Sequence, residues 1–116
     1  MSHPYMVRIV AAGKTLALLS PHAVVAVMKH GPECEVVFAS NSRARIGASA
    51  ELVARLLWSR LNETDNSYYN DAHVVGVIND KKGSRLVVGG FLELSSSLRV
   101  TDWEHAIHMV ETIRSL

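Results

Sequence analysis

One strand pattern occurs twice in this chain, and the repetition limits its fold more than any other feature. Ala23, Val24, Val25, Ala26 and Val27 are followed by a polar turn, then by Cys34, Glu35, Val36, Val37 and Phe38. Fifty residues on, His73, Val74, Val75, Gly76 and Val77 lead through another polar turn to Ser84, Arg85, Leu86, Val87 and Val88. The offset of 50 holds through both hairpins. It slips to 54 after the 89–97 connection, where Arg99 and Val100 match Arg45 and Ile46, and Ile107 and Val110 match Val53 and Leu56. A hairpin–strand–helix unit present twice, over roughly 22–61 and 72–115, implies two half-cores that bury each other. Each half alone is near the size at which a core becomes marginal, so the pattern predicts one domain over 1–116. The fold class expected is α+β: antiparallel sheets with two helices, in two pseudo-repeated halves.

The finer pattern supports this reading. Strands are expected over 5–11 and 15–19 around a turn at Gly13 and Lys14. The run 23–29 is β-branched and almost continuously apolar, which suggests a strand buried on both faces. His30, Gly31 and Pro32 make a turn into 35–40, and 43–46 is a short fifth strand. Ser49 is a good N-cap for a first helix, whose apolar residues are Leu52, Val53, Leu56, Leu57 and Leu61. Residues 61–70 are polar and read as a loop. After the second hairpin, Gly89 and Gly90 permit a bend, and the alternation through Phe91, Leu92 and Leu94 suggests an extra strand or an exposed flap. A second helix is expected from the capping box of Thr101 and Glu104, with Trp103, Ala106, Ile107, Val110 and Ile113 as its core stripe.

Composition narrows the function classes. Twelve basic and 11 acidic residues leave a net charge of +1, a poor footprint for a dedicated binder of nucleic acid or anionic membrane. The single Cys34 excludes an intrachain disulfide and a multi-cysteine zinc site, and its apolar neighbours suggest a core position. No signal-like segment opens the sequence and no apolar run approaches the ~18 residues of a membrane helix, so a cytoplasmic location without membrane contact is expected.

Catalytic and metal signals are weak. His105, His108 and Glu111 recur by three on the second helix, but zinc-protease helices space their histidines by four, and a solvated face is the preferred reading. His30 and Cys34 flank a turn without an orienting third group. Gly89 and Gly90 lead into no helix that would back a phosphate site. The chain is therefore read as a non-enzyme with no cofactor.

Lys81, Lys82 and Arg85 cluster at the second hairpin, and Arg43 and Arg45 precede the first helix; these could meet phosphates, with Tyr68 and Tyr69 stacking on bases, but ordinary solubilising charge on turns and edge strands is the preferred reading. In element order, the strand pair around Gly13 and Lys14, the aliphatic strand and its partner, and the short Ser49, Ala50, Glu51, Leu52 helix resemble LytTR-type DNA-binding domains. They also resemble small flagellar regulators of the FlbD type. The later part of the LytTR pattern is matched by Ser67, Tyr68, Tyr69 and Asn70 before the 73–77 strand and its hairpin. The resemblance implies sequence-specific DNA binding, with Lys81, Lys82, Arg85 and Asn70 as contacts. The family's basic run before the tyrosine is replaced here by the acidic stretch 61–66.

The preferred reading is a small non-catalytic regulatory or adaptor protein that binds another protein, as a homodimer. Its expected contacts are Tyr68 and Tyr69 in the loop and Phe91, Leu92 and Leu94 in the flap, an aromatic and aliphatic patch of the kind that marks interfaces. A LytTR-like DNA-binding protein is the first alternative, and a phage or mobile-element accessory protein the second.

Overall fold

Continuous apolar strands need cover on two faces, and the fold supplies it by stacking layers on a central sheet. The computed structural model describes residues 6–80 and 83–96; the second helix expected over 101–113 lies outside them. In chain order the elements are β1 (Val7–Ala11), β2 (Lys14–Leu19), β3 (Val24–His30), β4 (Glu33–Phe38), β5 (Arg43–Ile46), α1 (Ala50–Leu57), β6 (Ser67–Tyr69), a 3₁₀ turn (Asp71–His73), β7 (Val74–Asp80), β8 (Gly83–Val88) and β9 (Leu92–Ser96). They form a β1–β2 hairpin, a central sheet in the order β5-β4-β3-β6 and a third sheet in the order β7-β8-β9. All pairings are antiparallel, so the described residues are α+β with one α-helix.

The first turn falls at Ala12 and Gly13, one residue before the expected place. Both have positive φ (52° and 77°), the I′-type conformation whose twist suits a two-residue hairpin. In the central sheet, Val24, Val25, Ala26 and Val27 are all fully buried, because β3 has a layer on each side. One face of β3 and β4, with Val27, Cys34 and Val36, packs against α1 and the β1–β2 residues Val7, Ile9 and Leu19. The other, with Val25 and Val37, packs against Val74, Leu86, Val88, Leu92 and Leu94 of the third sheet.

Helix α1 begins where its cap predicts: Ser49 Oγ accepts from Leu52 N at 3.2 Å. Its buried face differs from the expected one. Ala50, Val53, Ala54 and Leu57 are buried, while Leu52 and Leu56 are about 40% exposed. Two alanines let the helix approach the sheet closely, which rotates the larger leucines onto its flank. Trp58 is extended (φ −130°, ψ 138°), so the helix stops before Leu61.

The two hairpins share their register. Val24 pairs with Phe38 and His30 with Glu33; Val74 pairs with Val88 and Asp80 with Gly83, and each hairpin has its irregularity just after the first pair. The third strand departs from expectation. Cys34 pairs with Ile46 and Ser84 with Ser96, so β9 stands to β5 at an offset of 50, not 54. Arg99 and Val100 match Arg45 and Ile46 in side-chain type, but the strand paired with β8 is Leu92–Ser96. Of the two expectations for this segment, an extra strand and an exposed flap, the strand is what forms: β9 belongs to the core and follows a turn at Gly89 and Gly90 with φ 68° and 78°.

Candidate functional site

The tyrosine pair does not lie on a loop. Residues 67–69 form β6, an edge strand on β3 with Val27 opposite Tyr68 and Ala26 opposite Tyr69. Alternation along the strand separates the two rings. Tyr68 is only 6% exposed and belongs to the core beneath α1, with Lys29 Nζ 5.0 Å from its ring centroid. Lys29 is ion-paired with Glu63, which raises the lysine's pKa and lowers the carboxylate's. Tyr69 is half-buried against the second core. Its hydroxyl pKa is raised by burial and by the Asp71 carboxylate, with Arg60 acting in the opposite sense.

Asn70, a DNA-contact candidate, is committed internally. Its Nδ2 donates to Pro21 O (3.2 Å) and Val24 O (3.1 Å), and its Oδ1 accepts from Ala72 N (3.1 Å). Buried and bonded on three sides, it ties the β2–β3 connection to the end of β6. Arg85 pairs with Glu93 at 3.2 Å across β8 and β9. Arg43 and Arg45 pair with Glu35 and Glu33 at 3.1 and 3.7 Å. Lys81, Lys82, His105, His108 and Glu111 lie outside the described residues.

The expected apolar contact patch is largely internal. Leu92 and Leu94 are 7% and 3% exposed, and half-buried Phe91 packs on the same core, because the second face of β3 and β4 needs this cover. Cys34 lies fully buried beneath α1 while His30 is exposed, so the two do not form a solvent-facing pair. Burial, followed by the nearby Glu33 charge, pushes the Cys34 thiol up to about 11. Thiolate is the reactive form. The folded protein is therefore expected to resist a chromogenic disulfide reagent at pH 8 and to react with one equivalent once denatured; rapid labelling of the folded chain would contradict this burial.

Two surfaces were not visible in the sequence. The first is the outer face of the β1–β2 hairpin. Val7, Ile9 and Leu19 point into the core, yet the opposite side exposes Val10 and Leu18, with Leu16 at the bulge and Met6 just before the strand. Leu18 is 55% exposed. Neither strand pairs with any other described strand.

The second is a cleft of about 380 Å³ where the end of α1, the β2–β3 turn and the 3₁₀ turn meet. Trp58, Arg60, Tyr69 and Asp71 line it, and Trp58 Nε1 donates to Pro21 O at 3.3 Å. Among the described residues, no three histidine, cysteine or carboxylate side chains gather as metal ligands, and no helix is long and apolar enough to cross a membrane. Comparison with known proteins returns no matching family model, no matching curated protein and no matching solved structure.

Proposed function

We propose that this chain is a small non-catalytic regulatory or adaptor protein that acts by binding another protein, and that it does so as a homodimer. The observation that carries the reading is the β1–β2 hairpin, whose outer face exposes Val10 and Leu18 beside Arg8 and Thr15 and whose outer edges pair with no other described strand. A two-stranded sheet is marginal by itself, and an exposed apolar face on one invites cover. A second copy supplies it most economically, because a two-fold contact sets the same apolar patch against itself. The near-zero net charge offers little repulsion against association. Of the contacts that a DNA-binding reading would use, Arg85 pairs with Glu93 and Asn70 is bonded internally, while Lys81 and Lys82 lie outside the described residues.

The same reading keeps two halves and a second helix as its architecture, supported by the common register of the hairpins. The third sheet turns toward β3 and β4 the face equivalent to the one that α1 covers on the central sheet. Leu86 corresponds to Val36, and both point inward, Val36 beneath α1 and Leu86 against the central sheet.

Light scattering across a concentration series tests the dimer. The unmodified chain should have twice its own mass, and Val10→Lys with Leu18→Lys should give a folded monomer. A monomer at every concentration would defeat the homodimer, and a dimer indifferent to both lysines would defeat the hairpin as its contact.

A further inference from the structure

We infer that the cleft between α1 and the 3₁₀ turn binds the C-terminal residue of a partner polypeptide, its apolar side chain on Trp58 and Tyr69 and its terminal carboxylate on Arg60. This rests on the protein-binding reading and gives it a recognition site separate from the hairpin.

Three observations converge on that ligand. The cavity is concave and about 380 Å³, suited to one large side chain with its backbone. Its lining brings together Trp58, Tyr69 and Arg60, the residue types that dominate binding energy at protein contacts. Their support is preorganised: Trp58 Nε1 and Asn70 Nδ2 both donate to Pro21 O, and Asn70 also holds Val24 O and Ala72 N. A site already held in shape loses less order on binding.

Charge selects the chemistry. Arg43, Arg45, Arg55 and Arg85 are each within ion-pair distance of a carboxylate, whereas Arg8 and Arg60, both exposed, make no such pair among the described residues, and of these two only Arg60 lines the cleft. A guanidinium in a concave site suits a carboxylate, which it can hold with two parallel hydrogen bonds. Asp71 lies close enough to act on the same Tyr69 hydroxyl as Arg60, and among the described residues it too lacks an ion-pair partner. Its negative charge disfavours a bare polyanion but can accept a hydrogen bond from an amide N–H. A last residue of a polypeptide carries all three groups at once: an apolar side chain, a carboxylate and an amide N–H beside it.

N-acetyl-phenylalanine reproduces those groups and is the probe. The chain has two tryptophans, so Trp103→Phe leaves Trp58 as the single fluorescence reporter. Amide chemical shifts of the unmodified chain serve as a second readout if that variant misfolds. A dissociation constant on the order of 1 mM is expected for so small a fragment. N-acetyl-phenylalaninamide, which lacks the carboxylate, should bind about tenfold more weakly, and Arg60→Gln should abolish the difference. Failure of the acid to bind, or equal binding of acid and amide, overturns the proposal. Phenylacetate binding as tightly as the acetylated residue would make this a site for small free acids and overturn the polypeptide assignment. Free phenylalanine binding more tightly than its acetylated form, with the gain lost in Asp71→Asn, would make the ligand an amino acid and overturn it likewise. The lysine pair on the hairpin should leave these titrations unchanged, so failure of the dimer and failure of the cleft are read separately.

Discussion

Val27→Asp is expected to unfold the chain outright. Val27 is fully buried in the middle of β3, opposite Val36 on one neighbouring strand and Tyr68 on the other. Its side chain faces the core beneath α1, in an apolar cluster. Substitution forfeits roughly 1.5–3 kcal/mol of apolar burial. An uncompensated buried carboxylate adds about 3–5 kcal/mol. Domains of this kind are stable by only about 5–15 kcal/mol, so the two losses consume most or all of it. Far-UV circular dichroism and urea titration should show no folded baseline at neutral pH. Asn66→Asp, exposed just before β6 and away from the hairpin, should stay within about 0.5 kcal/mol of the unmodified chain. A cooperative melt for Val27→Asp close to the unmodified midpoint would mean that β3 is not the shared element of the two cores. A milder pair sharpens the point. Val25→Ala and Val27→Ala remove methyl groups from opposite faces of the same strand, each at about 2 kcal/mol. Both should shift one common transition; two separable transitions would show the layers melting independently.

That strand is also where the sequence was most legible. A run of valine and alanine without polar alternation admits a doubly covered strand, and residues 24–27 have no exposed face. Ser49 as helix cap was legible for a similar reason, since the signal is local and chemical. Features set by distant partners were harder to read. Strand β6 is three residues long inside a polar stretch, and its place on the β3 edge was not encoded in local periodicity. Leu92 and Leu94 looked exposed because their cover, the second face of β3 and β4, lies more than fifty residues earlier in the chain. Leucines outrank alanines in any hydrophobicity count, so the face of α1 was assigned to Leu52 and Leu56; close approach to a sheet favours the smaller Ala50 and Ala54. The cleft draws on segments around residues 21, 58 and 70, and no single spacing could announce it.

Asn70→Ala should cost about 2–4 kcal/mol, since it removes three hydrogen bonds worth about 1 kcal/mol each and leaves buried partners unsatisfied. Pro21 O keeps the Trp58 donor, whereas Val24 O and Ala72 N lose the side-chain partner that Asn70 provides. Asn70→Asp is the more discriminating change. An aspartate can still accept from Ala72 N, but its second oxygen would face two carbonyl oxygens where an NH₂ group stood. That repulsion acts only on the ionised form and raises the folded-state pKa above the ordinary value of about 3.9. With the folded pKa raised, the stability is fully present below the unfolded pKa and is lost as pH rises through the folded one. The variant should therefore lie closest to the unmodified chain near pH 3.5 and fall progressively behind it toward pH 7, by more than Asn70→Ala does. Urea midpoints of the three proteins at both pH values measure this. A constant gap between Asn70→Asp and the unmodified chain would mean that the position is solvated and that another contact ties the β2–β3 connection to β6. A gap that widens with pH would identify the Asn70 amide as that tie, and with it the rigidity of the wall on which Trp58 and Tyr69 are set.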